Sequence, residues 1–213
     1  MKNEIKPLTL DLTPAYLDFF DNRAFSDGNP NGPCYCNAPV MDTASIRQME
    51  REFGDDCKGV LRRYATKQLA EEKIRGYLAF DGNTPVGWCN AGDMDAYAVN
   101  DFQFIPDFAR QNICGRTMSV VCFAIAPGYR GKGVASALLE RVVADAKALG
   151  YAAVEGYAHV PKERAYYDFK GPIHLYEKAG FMEAARLDDR VVMRKELKDC
   201  GSKQQKNAPE ESV

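Results

Sequence analysis

The sequence predicts one α/β (α+β) domain, a mixed central sheet flanked by helices. Three observations support this. Strand-like and helix-like patterns alternate in the order strand, helices, hairpin, strand, helix, strand, helix, hairpin. The most apolar run, Thr117 to Ile125, leads through a glycine-rich loop into an amphipathic helix at Val134 to Leu149. The 213 residues are 46% hydrophobic and 27% charged, which is typical of one domain with a sizeable core.

Local signals for caps, turns and breaks place the elements before the central strand. They are a weak strand at Ile5–Leu10, a helix with Thr13 as N-cap and Pro14 in first position, a loop at Asp27–Pro33, two helices within Thr43–Arg75 broken near Gly54 and Gly59, a hairpin of Tyr77–Phe80 and Val86–Asn90 around Asp81-Gly82-Asn83, and a polar irregular stretch at Gly92–Asn112.

The same signals place the elements after the central helix, which Gly150 ends. They are a strand at Ala152–Val160, a short helix at Ile173–Ala179 ended by Gly180, and a hairpin of Phe181–Leu187 and Val191–Leu197. The domain therefore spans residues 1–198. The Lys/Gln/Glu-rich tail, residues 199–213, is predicted to be disordered.

Charge, hydropathy and cysteine usage exclude several function classes. The net charge of −2 gives no basic excess for nucleic acid, and no apolar run suits a signal peptide or a membrane span. The seven cysteines are odd in number and irregularly spaced, so we expect reduced thiols and a cytoplasmic protein. No metal site is expected, because Cys34-x-Cys36 lacks a second pair and the chain has two histidines. Those cysteines are interpreted as half-buried residues of a short strand.

The segment from Cys122 to Ser136 carries the clearest chemical signal. A buried strand ends at Pro127, and a loop with three glycines leads directly into a helix N-terminus. Unpaired amides and the helix dipole favour an anion there, and glycine lets the backbone approach a phosphate. Together with the charges of Arg130 and Lys132, this pattern predicts a pyrophosphate cradle.

Two familiar nucleotide motifs fit this segment poorly. A Walker loop needs Gly-Lys-Ser/Thr at its end, whereas Val134 follows Gly133 here. A Rossmann motif would use Gly131, Gly133 and Ser136, with Glu155 as the ribose-binding acid. Five residues separate Ile125, the end of the apolar run, from Gly131, however, and too little chain follows for a doubly wound sheet. NAD binding is therefore the weaker interpretation.

Two blocks resemble a known family. Arg130-Gly-Lys-Gly133-Val-Ala135 is similar to the R/Q-x-x-G-x-G/A motif of the GNAT N-acetyltransferases, and Ile173-His-Leu-Tyr-Glu-Lys-Ala-Gly-Phe181 resembles that family's second block. The resemblance covers Thr117 to Leu197. It implies the GNAT fold, with parallel strands that splay apart in a core at 117–197, and an acceptor-side insert at about residues 21–116.

The resemblance implies acetyl-CoA as cosubstrate and assigns roles residue by residue. The pantetheine arm would pair with the backbone near Phe123 and Ile125, and the Tyr176 hydroxyl would protonate the leaving thiolate. The residues implied to hold the pyrophosphate are Arg130, Gly131, Lys132, Gly133, Val134 and Ala135. Two departures stand out: Phe169 replaces an Asn that helps many members bind coenzyme A, and Ser119 replaces the Glu of the histone-acetylating branch.

The resemblance also implies the reaction, in which an amine attacks the thioester directly. Glu155, Asp93 and Asp95 are the candidate bases, and Trp88, Asp93 and Asp95 the candidate acceptor-binding residues. His159 is interpreted as a strand-end residue. The expected acceptor is a small-molecule or peptide amine, neither nucleic acid nor membrane is expected as a partner, and a homodimer is left open. The alternative is a non-catalytic acyl-CoA-binding regulatory module.

Overall fold

The computed structural model describes residues 3–29, 32–113, 115–160 and 169–198. Within these ranges, seven strands form one sheet in the order β1-β2-β3-β4-β5-β7-β6. The strands are β1 Glu4–Pro7, β2 Gly76–Asp81, β3 Thr84–Asp93, β4 Thr117–Ile125, β5 Ala153–His159, β6 Met182–Arg186 and β7 Arg190–Glu196. The helices are α1 Thr13–Asn22, α2 Thr43–Arg51, α3 Cys57–Ala70, α4 Asp107–Gln111, α5 Val134–Ala148 and α6 Ile173–Lys178. No described helix has the length and hydropathy needed to cross a bilayer.

The pairing between β4 and β5 fixes the centre of the fold. Neighbouring strands in the sheet are otherwise antiparallel, but β4 and β5 run parallel because the chain crosses between them through α5. Their register begins at Thr117 opposite Ala153 and stops at Val120 opposite Gly156. Both strands continue beyond that point, so they diverge. We call the resulting gap the fork; it confirms the predicted splayed parallel strands.

Each face of the sheet buries a separate core. One face packs against α5 and α6, where Leu138 and Tyr176 are fully buried. The other packs against α1 to α3, with Tyr16 and Trp88 among its fully buried residues. A bulge in β4 inserts Val121 opposite the Asn90–Ala91 step of β3. As a result, Val121 and Cys122 both contribute to the second core.

Two strand glycines let helices approach the sheet closely. A Cβ on Gly87 would lie 2.8 Å from a methyl carbon of Val134, the first residue of α5. A Cβ on Gly156 would penetrate the ring of Tyr176 on α6. The absence of a side chain at Gly156 therefore allows the tyrosine ring to lie directly on β5, at the root of the fork.

Several helix boundaries differ from those predicted. Thr13 is the first residue of α1 rather than its cap, and the cap position, Leu12, has no side-chain hydrogen bond. Gly59 does not break a helix. It lies in the first turn of α3, where its N–H donates to the Asp56 carboxylate, which caps the helix.

The structure also corrects the predicted secondary structure of two irregular segments, and it does not test the prediction for the C-terminal tail. The stretch from Gly92 to Asn112 contributes the end of β3 and all of α4. Cys34 to Cys36 is a turn and not a strand, since Tyr35 and Cys36 both have positive φ. The predicted disordered tail, residues 199–213, lies outside the described residues.

The Gly156–Tyr176 contact gives the first prediction. Gly156→Ala should lower the free energy of unfolding by about 2 kcal/mol, because the new methyl group overpacks the ring. The control is Gly128→Ala, where an added Cβ meets nothing and the change should stay within about 0.5 kcal/mol. Urea unfolding measures both, and equal midpoints would show that the ring moves aside freely.

Candidate active site

The edge of β4 that faces the fork is occupied by the chain itself. The Phe123 N–H donates to the Phe169 carbonyl at 2.6 Å. The Ile125 carbonyl accepts from Nε of Arg130 at 3.0 Å. Residues two apart in a strand present their backbone groups to the same edge. The backbone groups predicted to hold the pantetheine arm therefore both lie at the fork, where each already has a hydrogen bond.

The Phe169–Lys170 dipeptide bridges the fork. The Lys170 carbonyl accepts from the Tyr176 hydroxyl at 2.6 Å, while the Phe169 carbonyl holds β4. The Lys170 ammonium donates to the Phe104 carbonyl at 3.2 Å and lies over the Phe104 and Phe169 rings. A ligand that paired with Phe123 would have to replace the Phe169 carbonyl. The position where the sequence departs from the family pattern is thus part of the fork.

The loop before α5 has the backbone that an anion site requires. Gly131 and Gly133 have φ of 72° and 81°, a left-handed conformation that favours glycine. An added Cβ would meet nothing within 4 Å at either position, so the surface above them is open. Gly133 is the N-cap of α5, and the first amides of a helix have no intrahelical partner. Those of Val134 and Ala135 are among them.

The two cations of this loop have different surroundings. The Arg130 guanidinium donates to the Asp27 carboxylate at 2.6 Å and ties the loop to the segment after α1. Lys132 is exposed, with its ammonium 5.5 Å from the centre of the Tyr129 ring. The structure therefore directs the charge of Arg130 toward Asp27, and Lys132 is the cation beside the exposed glycines.

Glu155 lies in a buried polar chain within the paired part of the sheet. Its side chain is fully buried and accepts from Nε of Arg194 at 2.6 Å and from the Tyr157 hydroxyl at 3.3 Å. Tyr157 also exchanges a hydrogen bond with Ser119. Burial raises the pKa of Glu155, and the Arg194 charge opposes that shift. The geometry gives Glu155 a structural partner; its role as a base stays a prediction.

The structure separates the three predicted acceptor-binding residues. Asp93 lies opposite Met118, near the start of β4 and far from the fork, and accepts from Arg116 at 2.6 Å. Asp95 follows on the next turn. Trp88 lies opposite Ala124, beside the fork, and is fully buried. Trp88 and Tyr176 therefore lie on opposite faces of the sheet near the fork, and the two aspartates lie away from it.

An apolar cavity of about 290 Å³ adjoins the fork on the face that carries Trp88. Its walls include the rings of Phe25, Phe102, Phe104 and Phe169 together with Cys36 and Cys122. Sequence reasoning missed this cavity, because its walls come from distant segments. The Cys34-Tyr35-Cys36 stretch was the one local signal.

Two further expectations concern His159 and metals. His159 ends β5 and packs edge-on against the Phe169 ring, with centroids 5.4 Å apart. This agrees with its interpretation as a strand-end residue. Among the described residues, no group of three or more His, Cys, Asp or Glu side chains could hold a metal ion.

Comparisons with known proteins agree on one family. A family model described as the acetyltransferase (GNAT) family matches residues 42–181. No curated protein matches the sequence. An N-acetyltransferase from Staphylococcus aureus Mu50 is 18% identical, with a TM-score of 0.51 over 93% of this chain and 100% of that one. The yncA protein of Salmonella typhimurium, solved with its cofactor acetyl-CoA, is 15% identical, with a TM-score of 0.50 over 94% and 96% of the two chains.

The buried pair of Glu155 and Arg194 gives the second prediction. Glu155→Ala should lower the free energy of unfolding by roughly 3 kcal/mol, because it leaves the arginine without its carboxylate partner. Glu155→Gln should lower it by less, about 1–2 kcal/mol, because the amide oxygen still accepts a hydrogen bond. Urea unfolding measures both.

The control is Glu183→Ala, which removes an exposed pair with Arg186 and should change stability by less than about 1 kcal/mol. A role in chemistry would give a different pattern. If Glu155→Gln unfolds like the parent protein but loses acetyl transfer, Glu155 is the base and not a structural residue.

Proposed function

The chain belongs to the GNAT acetyltransferase family, and on that premise we propose that it transfers an acetyl group from acetyl-CoA to a primary amine by direct attack. The observation that carries the proposal is the combination of the fork with the open, positive-φ glycine loop at the start of α5. Together they offer a strand edge for an amide-containing arm and a helix N-terminus for phosphates.

The described residues fit acetyl-CoA at both ends of the molecule. At the α5 end, the amides from Arg130 to Ala135 and the exposed Lys132 would hold the pyrophosphate. At the fork, Phe123 and Ile125 would pair with the pantetheine arm once the Phe169 carbonyl and the Arg130 side chain release them. The cofactor therefore exchanges hydrogen bonds that the free protein already makes.

The reaction needs few groups from the protein. The amine nitrogen attacks the acetyl carbon, and a backbone amide on the β4 edge polarises the carbonyl. Coenzyme A then leaves as a thiolate, which takes a proton from the Tyr176 hydroxyl. That hydroxyl donates to the Lys170 carbonyl in the free protein, so the same rearrangement that opens the fork frees it for the sulfur.

The apolar cavity beside the fork is the proposed acceptor site. It adjoins Phe123 and lies on the same face as Trp88. Asp93 and Asp95 are left out of this proposal, because they lie at the other end of β4 and Asp93 is paired with Arg116. The proposed acceptor is a small-molecule or peptide amine with an apolar group to fill the cavity.

A panel of amines tests the proposal. Acetyl-CoA and protein are incubated with an arylalkylamine, an alkylamine, a polyamine and a dipeptide with a free N-terminus, and the acetylated products are separated by chromatography. We expect N-acetyl product with at least one apolar amine. Protein that binds acetyl-CoA but acetylates none of them would be a non-catalytic acyl-CoA-binding module.

The third prediction concerns the cradle. Gly133→Glu should abolish acetyl-CoA binding by calorimetry, because it brings a side chain and a negative charge into the open surface before α5. The control is Gly82→Glu in the β2–β3 turn, which also has positive φ and open surroundings and should leave affinity unchanged. Equal affinities in the two variants would show that the pyrophosphate binds elsewhere.

The fourth prediction concerns the acid. Tyr176→Phe removes the hydroxyl and keeps the buried ring, so kcat should fall by roughly 10²-fold or more. Acetyl-CoA affinity should stay near that of the parent. Tyr151→Phe is the control, since that hydroxyl contacts Arg116 and Asp93 far from the fork and should leave kcat unchanged. A fully active Tyr176→Phe enzyme would make solvent the source of the proton.

A further inference from the structure

Three thiols meet beside the cavity. Cys34 and Cys36 lie on the turn that follows the loop at Asp27–Pro33, and Cys122 lies on β4 immediately before Phe123. All three line the cavity, and the Cys34 and Cys122 thiols both face the Cys36 sulfur. Cys36 is therefore at the centre of the cluster, next to the strand edge where the thioester is proposed to lie.

The backbone holds Cys36 in an uncommon conformation. Tyr35 and Cys36 have φ of 48° and 51°, a left-handed conformation that side-chain-bearing residues rarely adopt. The flanking structure fixes it: the Tyr16 hydroxyl donates to the Tyr35 carbonyl at 2.8 Å, and the Asn37 amide donates to the Leu61 carbonyl at 2.8 Å. Backbone strain that neighbouring contacts hold in place is typical of functional sites, which makes Cys36 a candidate functional residue.

Two buried donors also face Cys36. The side-chain amide nitrogen of Asn90 and the indole nitrogen of Trp88 are fully enclosed and lack a hydrogen-bond partner within the described ranges. Both side chains are near enough to the Cys36 thiol to lower its pKa. Buried donors without partners are costly in a finished core. A negatively charged sulfur would satisfy them better than a neutral thiol does.

Cys36 is surrounded by buried thiols and hydroxyls whose own ionisation is disfavoured. The neighbouring Cys122 and Cys34 thiols, followed by the side chains of Asn90 and Trp88, hold the pKa of the Cys36 thiol below its usual range, although burial opposes this. Burial raises the pKa of Cys89 and of the Tyr16 and Tyr97 hydroxyls. Hydrogen bonding to Cys36, together with burial, raises the pKa of the Cys34 and Cys122 thiols. The Lys170 charge opposes the shift at Cys122.

The cavity offers little else to accept a proton. Its described walls carry no carboxylate and no imidazole. Glu155 lies before the fork in its pair with Arg194, and Asp93 lies at the far end of β4 with Arg116. We propose that Cys36 is the general base of the acetyl transfer, taking the proton of the acceptor amine in the apolar cavity. This inference rests on the proposed function and names its missing base.

The amine nitrogen forms a bond to the acetyl carbon, and its surplus proton passes to the Cys36 thiolate. The bond from that carbon to the coenzyme A sulfur breaks, and the leaving thiolate takes the proton of the Tyr176 hydroxyl. The Cys36 thiol then returns a proton to the tyrosinate through solvent, which restores both groups. No oxidant and no covalent intermediate are required.

The experiment compares Cys36→Ala and Cys36→Ser with Cys57→Ser, a thiol control at the start of α3, away from the cavity. For the parent, kcat should rise with pH as the Cys36 thiolate forms, and this limb should disappear in both Cys36 variants. We expect kcat to fall by roughly 10²-fold at neutral pH, the scale of a lost general base. Thermal unfolding and acetyl-CoA affinity establish that each variant is folded.

Three further measurements distinguish ionisation of Cys36 from ionisation of its surroundings. The pH profile of kcat is recorded with two accepted amines of different basicity. If the limb reports deprotonation of the amine, its midpoint will shift with the pKa of the amine; if it reports Cys36, the midpoint will stay the same. Cys122→Ala removes a donor to Cys36 and should shift the limb to higher pH, whereas Cys122→Ser keeps a donor and should shift it less. The ultraviolet absorbance of the thiolate, parent minus Cys36→Ser, should show ionisation below the ordinary thiol pKa of about 8.5.

Three results would overturn the proposal. Folded Cys36 variants with the parent's pH profile would remove Cys36 from the chemistry and leave the proposed function standing. An acetyl group on Cys36, found by mass spectrometry of acid-quenched enzyme, would make Cys36 a covalent carrier instead of a base. A parent protein that acetylates no amine would remove the proposed function and the role of Cys36 together.

Discussion

The interrupted pairing of β4 and β5 is the constraint on which the rest of the structure depends. Beyond Val120 and Gly156 the strands share no further paired residues, so buried backbone groups on β4 need other partners. Phe169 and Arg130 supply them, and those contacts draw in the segment before α6 and the loop before α5. The sheet therefore joins the glycine loop, the tyrosine of α6 and the apolar cavity at one place.

The sequence predicted the parts that depend on local signals. An apolar run, a glycine-rich loop and helical periodicity are properties of neighbouring residues, and they located β4, the loop and α5 within about a residue. The position of Asp93 was missed because it depends on strand register: β3 extends to Asp93 and pairs it with Met118. A polar stretch with clustered Asp and aromatic residues gave no periodic pattern from which to infer that pairing.

The contents of the fork were beyond sequence reasoning for a different reason. Phe169 and Lys170 act through their carbonyls, and a backbone carbonyl has no signature in the sequence. The cavity combines the turn at Cys36, the loop at Phe102 and Phe104, and β4, which lie far apart in the chain. The Cys34-Tyr35-Cys36 stretch was recognised in the sequence, but the proposed role of Cys36 depends on Asn90 and Trp88, which only the folded sheet brings near it.

The Phe169 carbonyl has a consequence for the protein before any ligand arrives. Two diverging strands expose unpaired amides inside a sheet, and such an edge can recruit a strand from another molecule. In this chain the N–H of Phe123 is already paired with a segment that is continuous with α6. In the folded protein this pairing therefore takes up an N–H that a strand of another molecule would otherwise need in order to add to β4 at the fork.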